Sequence, residues 1–250
     1  GSGYIFVNLS GLTIPGYSSI QQTIVVTISI GANPGIIVID AEFTGEEQIT
    51  TGEVIDDASN TTETIIVQTQ ATLAITSIQD ITLSAPYVGG ETFDIQVNYE
   101  NTGGTDALNV DSILDFTDVT NVDATINFNG ATGVSASNPG PVVVQAGDVA
   151  SQTFTITILP GVTTQLGIEI DADVVGATEQ YSGRVMSASS GVNDLNVDIY
   201  AQAVLALTSF VDLTGNPTYI GGEIFTVEVN YSNTGDVDAY GIDASINFHG

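Results

Sequence analysis

The run Phe93-Asp-Ile-Gln-Val-Asn-Tyr99 alternates apolar and polar residues, and Phe225-Thr-Val-Glu-Val-Asn-Tyr231 repeats that alternation. Successive side chains of a β-strand point to opposite faces, so both runs are predicted to be strands with one apolar face. Thr153–Ile158 and Thr23–Ile28 add runs rich in β-branched residues, which favour strands. No run shows helical spacing between capping residues. The sequence predicts an all-β chain of two-sheet sandwiches with Greek-key connections, with an up-and-down barrel as the alternative.

An internal repeat runs through the chain at a constant offset, which takes Tyr87 to Tyr219. Tyr87-Val-Gly-Gly-Glu-Thr-Phe93 returns as Tyr219-Ile-Gly-Gly-Glu-Ile-Phe225. Val97-Asn-Tyr-Glu-Asn-Thr-Gly103 returns at the same offset as Val229-Asn-Tyr-Ser-Asn-Thr-Gly235. Self-similarity of this extent indicates tandem structural units.

Beyond Ala107 the offset becomes smaller, since Asp123–Gly130 returns as Asp243–Gly250. The earlier copy therefore contains an insertion, Leu108 to Val119, which includes Asp111, Asp115 and Asp118. We expect these carboxylates to lie in loops at the end of a sandwich.

The two ends of the chain correspond to complementary parts of one unit. Gly1–Tyr4 is similar to Ala131–Val134, and Ile37–Phe43 matches Ile168–Val174. These matches predict that residues 1–70 are the C-terminal half of a sandwich repeat, 71–202 a complete repeat, and 203–250 the N-terminal half of the next repeat. Two explanations stay open. The chain is a window cut from a longer array, or it is a subunit whose residues 203–250 are completed by residues 1–70 of a neighbouring copy.

The run from Val97 to Ala107, a strand followed by Asn-Thr-Gly, polar residues and Ala, resembles the signature of CARDB-type and related immunoglobulin-like repeats. Ala146-Gly147 leading into Ser151-Gln-Thr-Phe-Thr-Ile-Thr is a second similarity to these modules. The resemblance implies tandem immunoglobulin-like sandwiches. It also implies the work such modules do in bacteria and archaea, as stalks, adhesins and surface-layer repeats.

Composition excludes several classes of function. The chain has 30 acidic residues against a single basic one, Arg184, and it has no cysteine. Such a surface repels nucleic acid and anionic membranes, and disulfides and thiolate metal sites cannot form. A nucleophile triad would need the single histidine, His249, as its base, and a glycosidase built on paired carboxylates would lack a tryptophan platform for sugar. We therefore predict that the chain is not an enzyme. No segment is apolar enough to span a membrane, and Gly1–Tyr4 does not resemble a signal peptide, so we expect any export signal or anchor to lie outside the chain.

Carboxylates that alternate along a strand lie on one face, where like charges need solvent or a bridging cation. Calcium prefers carboxylate and carbonyl oxygens, so it is the candidate metal, and a solvated acidic face is the alternative. The candidate ligands are Glu169, Asp171 and Asp173 on one strand, Asp40 and Glu42 in the equivalent strand, and Asp236, Asp238, Asp243, Asp106 and Asp111 near turns.

Asn8, Asn60 and Asn230 each begin an N-glycosylation sequon, and Asn60 lies in the most polar surroundings. Taken together, the sequence predicts a structural repeat module of an extracellular prokaryotic filament, sheath or surface layer, whose partners are copies of itself or adjacent repeats. The stalk of a cell-surface adhesin is the first alternative. A module that binds carbohydrate or another ligand is the second.

Overall fold

In a computed structural model, the chain is all-β, as predicted from the alternating runs. The structure describes residues 3–6, 11–46, 48–49, 54–56, 61–117, 122–125, 128–131, 134–137, 139–191, 194–215 and 218–249. Within these ranges every regular element is a strand. The strands of the N-terminal part are β1 (Tyr4–Phe6), β2 (Val26–Ile28), β3 (Gly35–Ala41), β4 (Thr44–Glu46), β5 (Val54–Asp56) and β6 (Thr61–Val67).

The central part, 71–202, contains the strands β7 to β19. They are β7 (Leu73–Asp80), β8 (Tyr87–Val88), β9 (Thr92–Asn101), β10 (Ala107–Val110), β11 (Ser112–Thr117), β12 (Val122–Thr125), β13 (Phe128–Ala131), β14 (Val134–Ala136), β15 (Val142–Val144), β16 (Val149–Ile158), β17 (Gln165–Glu179), β18 (Val185–Ser189) and β19 (Leu195–Tyr200). The C-terminal part contributes β20 (Leu205–Asp212) and β21 (Val227–Asn233).

The central strands form two sheets that share one core. The smaller sheet has the order β14-β16-β9-β7, and the larger one is built around β17. Phe93, Ile95 and Val97 of β9 are buried in the same cluster as Ile168 and Ile170 of β17. An amphipathic sheet is stable when its apolar face is covered by another layer. The central part is therefore a β-sandwich, and the barrel alternative is wrong.

The chain changes sheets between neighbouring strands, as in a Greek key. In the smaller sheet β16 lies beside β9 along most of its length, although strands of the larger sheet lie between them in sequence. β17 is the longest strand and pairs with β10, β11, β18 and β19. Because these pairings join strands that are distant in the sequence, no single sequence motif contains the core.

The described part of the insertion, residues 108–117, forms strand structure. It supplies most of β10 and β11, and β11 pairs with β17 along its whole length. Leu114 and Phe116 of β11 are completely buried. The expectation that the insertion adds loop carboxylates is therefore wrong for Asp115, which lies on β11 opposite Asp171. Asp118 lies outside the described residues.

Candidate assembly surface

The C-terminal strands reproduce half of the central sandwich. β7 and β9 pair antiparallel with Leu73 opposite Asn101, and β20 and β21 pair with the counterparts of these residues, Leu205 opposite Asn233. Both pairs contain a register shift at the same point, after Ile75 in the first and after Leu207 in the second. The offset found in the sequence is therefore also the offset of the backbone pairing.

Local side-chain contacts recur with the strands. Tyr87 donates a hydrogen bond to Asp80 at 2.6 Å, and its counterpart Tyr219 donates one to Asp212. Tyr87 stacks on Phe93 with ring centroids 4.1 Å apart, and the corresponding rings of Tyr219 and Phe225 are 4.6 Å apart. The C-terminal part thus has the local structure of its equivalent in the complete sandwich.

The Asn-Thr-Gly signature also recurs. The side-chain oxygen of Asn101 accepts hydrogen bonds from the backbone N–H groups of Thr72 and Gly103, both at 3.0 Å. Asn233 accepts from Val204 and Gly235 at the same distances. The motif ties the residue before the first strand to the residues that follow the second, at the end of the pair away from their connection, so it is structural in both copies.

The two copies differ in how far their apolar side chains are buried. Phe93 is 1% exposed and Tyr99 0%, whereas their counterparts Phe225 and Tyr231 are 39% and 40% exposed. Ile78 is 6% exposed, and its counterpart Phe210 is 53% exposed. We call this surface the C-terminal face, and it consists of the exposed residues Leu205, Leu207, Phe210, Phe225 and Tyr231 and the half-buried Val227 and Val229.

In the central sandwich the equivalent surface is covered by a neighbouring strand and by the larger sheet. β16 pairs with the edge of β9 that faces away from β7, and the larger sheet packs over the apolar side chains. Among the described residues β21 pairs with β20 alone. The C-terminal face therefore presents both an open strand edge and an apolar surface.

The N-terminal strands correspond to the strands that cover this surface in the central sandwich. β1 pairs with β2 so that Tyr4 is opposite Ile28, in the register that places Val134 of β14 opposite Ile158 of β16. Tyr4 and Ile28 are thus the counterparts of Val134 and Ile158 at one shared offset.

β3 and β6 likewise pair as β17 and β19 do. Ile37 lies opposite Ile65, and the equivalent Ile168 lies opposite Val197. Most of the apolar side chains on these N-terminal strands are exposed. We call the N-terminal face the apolar residues of this part whose central counterparts are buried. It consists of Ile24, Val26, Ile28, Ile39 and Phe43, which are exposed, and Ile37, which is half-buried.

An ion pair between a buried carboxylate and a partly exposed arginine lies where the chain enters the central sandwich, and no local sequence pattern indicates it. Glu179, 3% exposed, accepts hydrogen bonds from the backbone N–H of Ala71 at 2.5 Å and from Thr105 at 3.0 Å. Arg184 bridges Glu179 at 3.3 Å and donates to the carbonyl of Ala71 at 2.6 Å. Burial by itself would raise the pKa of Glu179, but bonds from Arg184, Ser182, Ala71 and Thr105 outweigh it and lower the pKa to about 2.

This clamp is specific to the central repeat, because the sequence equivalents of Glu179 and Arg184 in the N-terminal part are Gln48 and Glu53. The single basic residue of the chain therefore holds the start of a sandwich and is committed to a structural contact.

The predicted row of carboxylates on β17 lies on one face. Glu169, Asp171 and Asp173 are half-buried and alternate with completely buried apolar residues, as predicted. Asp171 accepts hydrogen bonds from Ser190 and from the backbone of Ala172. Asp40 and Glu42, in the equivalent N-terminal segment, are exposed.

The remaining metal candidates each lie beside a different polar group. Asp106 accepts from the backbone of Ala146 at 2.9 Å, and Asp111 accepts from Gln152 at 2.8 Å. Asp238 accepts from Tyr240 at 2.9 Å, Asp236 accepts from Thr164, and Asp243 is exposed. Across the described ranges, no three histidine, aspartate or glutamate side chains converge closely enough to hold a metal ion. Calcium binding therefore stays a prediction.

Of the three sequons, only the one at Asn230 lies among the described residues, and Asn8 and Asn60 fall outside them. The amide of Asn230 donates to Ser209 at 2.8 Å and to Glu228 at 2.7 Å. Glycosylation stays a prediction at all three. His249 is exposed. In the part of the chain that the structure covers, no helix is long and apolar enough to cross a membrane.

Comparison with known proteins leaves the family open. No protein-family model and no curated protein matches the chain. A solved structure of a BcpA variant, the major pilin subunit of Bacillus cereus, is similar over 93% of this chain and 80% of its own. The TM-score is 0.31 and the sequence identity 9%, so this similarity assigns neither family nor function. The resemblance to CARDB-type repeats stays a prediction.

Proposed function

We propose that the chain is a non-enzymatic structural repeat module of an extracellular filament, sheath or surface layer. Its repeats join end to end when the N-terminal face of one copy completes the half-sandwich of another. The observation that carries the proposal is the C-terminal face, which has the register and hydrogen bonds of a buried half-sandwich but is open to solvent.

The uncovered surface has the properties of an interface. Contiguous exposed apolar patches on soluble proteins mark sites of interaction. Each large apolar side chain that becomes fully buried contributes roughly 1.5–3 kcal/mol. Open strand edges add main-chain hydrogen bonds to such a contact. The C-terminal face combines both features within β20 and β21.

The two faces differ from each other, so the contact between copies is heterologous. A heterologous contact that does not close into a ring propagates as a filament. The central sandwich, held by its own buried core, acts as a rigid spacer between successive joints. The work of the chain is therefore mechanical: it sets the spacing and continuity of an array.

Charge opposes this assembly, since the formal net charge of each chain is -29. Like-charged copies repel one another, and the repulsion is screened by salt and reduced by bound cations. Calcium bound by the acidic candidates on β17 and near the turns would reduce it at the joints. Export to an environment rich in calcium agrees with this requirement and with the absence of cysteine.

Particle length tests the proposal. Purified chain in calcium is expected to form filaments many subunits long by negative-stain electron microscopy, and EDTA is expected to shorten them because the carboxylates then repel. Adding calcium back restores the length. Particles that stay one subunit long in both conditions would contradict the proposal. Filaments whose length is unchanged by EDTA would support end-to-end assembly but show that calcium is not part of the joint.

A further inference from the structure

The strand pairing inside the central sandwich is a residue-by-residue template for the joint between two copies. In the smaller sheet of the central sandwich, β16 lies antiparallel to β9, with Ile156 opposite Phe93 and Phe154 opposite Ile95. Residues directly opposite each other in an antiparallel pair share one face of the sheet. These two pairs therefore place four apolar side chains together in the core.

We propose that residues 19–27 of one copy pair antiparallel with residues 224–232 of a second copy, with Val26 opposite Phe225 and Ile24 opposite Val227. The inference rests on the proposed function and specifies its register. It follows by replacing each residue of β16 and β9 with its counterpart in the repeat, so that Val26 stands for Ile156 and Phe225 for Phe93.

The edges required for this pairing are the open ones. β16 uses one edge for β14 and the other for β9. β2 uses one edge for β1, in the register of β16 with β14, and β21 uses one edge for β20, in the register of β9 with β7. Within the described residues neither strand pairs with a further strand. The two remaining edges are those that the template joins.

A polar residue fixes the register further. Gln152 of β16 is 2% exposed, accepts hydrogen bonds from the hydroxyl of Tyr99 and from the backbone of Ser112, and lies opposite Val97. Ser151-Gln-Thr-Phe154 has as its counterpart Gln21-Gln-Thr-Ile24, which retains the glutamine as Gln22.

In the proposed register Gln22 lies opposite Val229, beside Tyr231, which is the counterpart of Tyr99. A slip of one residue would turn the apolar side chains of residues 19–27 away from the core. A slip of two residues would keep those side chains inside but would move Gln22 away from Tyr231. Ser112 lies in the insertion and has no counterpart in 203–250, so Tyr231 is the one equivalent partner of Gln22. Buried polar side chains need a hydrogen-bond partner, so only the proposed register satisfies both requirements.

Engineered disulfides test this register, since the natural chain has no cysteine. Val25 and Thr226 are the exposed counterparts of Thr155 and Asp94, whose side chains are hydrogen-bonded across β16 and β9 at 2.7 Å. One chain with Val25→Cys is mixed with another with Thr226→Cys and oxidised. Because each chain has one thiol, a product of twice the chain mass on a non-reducing gel reports only contact between copies.

The control mixes Val25→Cys with Glu228→Cys, which lies on the same face two residues out of register. Diagonal positions are about 7–8 Å apart, beyond the usual reach of a disulfide. The matched pair is expected to cross-link at least about tenfold faster than the control pair. Each single variant, kept reduced, is checked by microscopy to form particles as long as those of the unsubstituted chain.

The outcomes separate the register from the function. Filaments that form while the control pair cross-links as fast as the matched pair, or while neither does, overturn the register and leave the proposed function standing. If the unsubstituted chain forms no filaments and the cysteine variants do not cross-link, both the register and the proposed function are overturned. Faster cross-linking of the matched pair together with elongation supports both.

Discussion

Replacing Phe210 with aspartate is expected to abolish end-to-end assembly, whereas the same substitution at the adjacent Val211 leaves it intact. Both side chains are exposed in the single chain. They differ in their counterparts, because Phe210 corresponds to the buried Ile78 and Val211 to the exposed Gln79. Only Phe210 is therefore expected to become buried when the half-sandwich is completed.

The substitution removes the burial of a large side chain and puts an unpaired carboxylate in its place. Together these effects amount to several kcal/mol, so the concentration needed for assembly should rise by about a hundredfold or more. Sedimentation velocity over a concentration series measures it. Equal assembly of Phe210→Asp and Val211→Asp would show that the C-terminal face is not the joint.

Replacing Asn101 with aspartate is expected to destabilise the central sandwich strongly. Asn101 is completely buried, and its amide nitrogen donates to the carbonyls of Thr105 at 2.8 Å and Val144 at 3.2 Å. Aspartate has the same shape but places a second acceptor against both carbonyls. The loss of two buried bonds costs about 3 kcal/mol or more, which corresponds to a fall in Tm of roughly 10 °C in a differential scanning calorimetry experiment.

Asn233→Asp is the matched control, since Asn233 makes three equivalent bonds in an exposed part of the chain. We expect this variant to keep the Tm of the central sandwich and to weaken assembly. Equal falls in Tm for the two variants would mean that the C-terminal half is already as well packed as the central one, contrary to the exposure of its apolar face.

Much of the fold could be predicted from local patterns. Alternation in Phe93–Tyr99 predicted a strand with one buried face, and that face is buried. The repeat offset that takes Tyr87 to Tyr219 recurs in the strand registers, because repeated side-chain patterns select the same pairing.

Non-local features could not be predicted in this way. The insertion was interpreted from its aspartates, yet Leu114 and Phe116 alternate with polar residues and form a core strand. The contact of Arg184 and Glu179 with Ala71 joins segments that are far apart in the sequence, so no local pattern reveals it. The Asn-Thr-Gly run suggested a family, whereas its physical role is the set of backbone bonds made by Asn101.

Hydrogen exchange in dilute and assembled chain tests the central claim most directly, namely that residues 1–70 of one copy complete the half-sandwich of another. Unpaired backbone amides exchange rapidly, and paired ones in a stable sheet exchange slowly. We predict that the amides of 19–27 and 224–232 that point to the open strand edges become protected on assembly, whereas the paired amides of β7 and β9 are protected in both states. Rapid exchange in both segments of fully assembled chain would contradict the account.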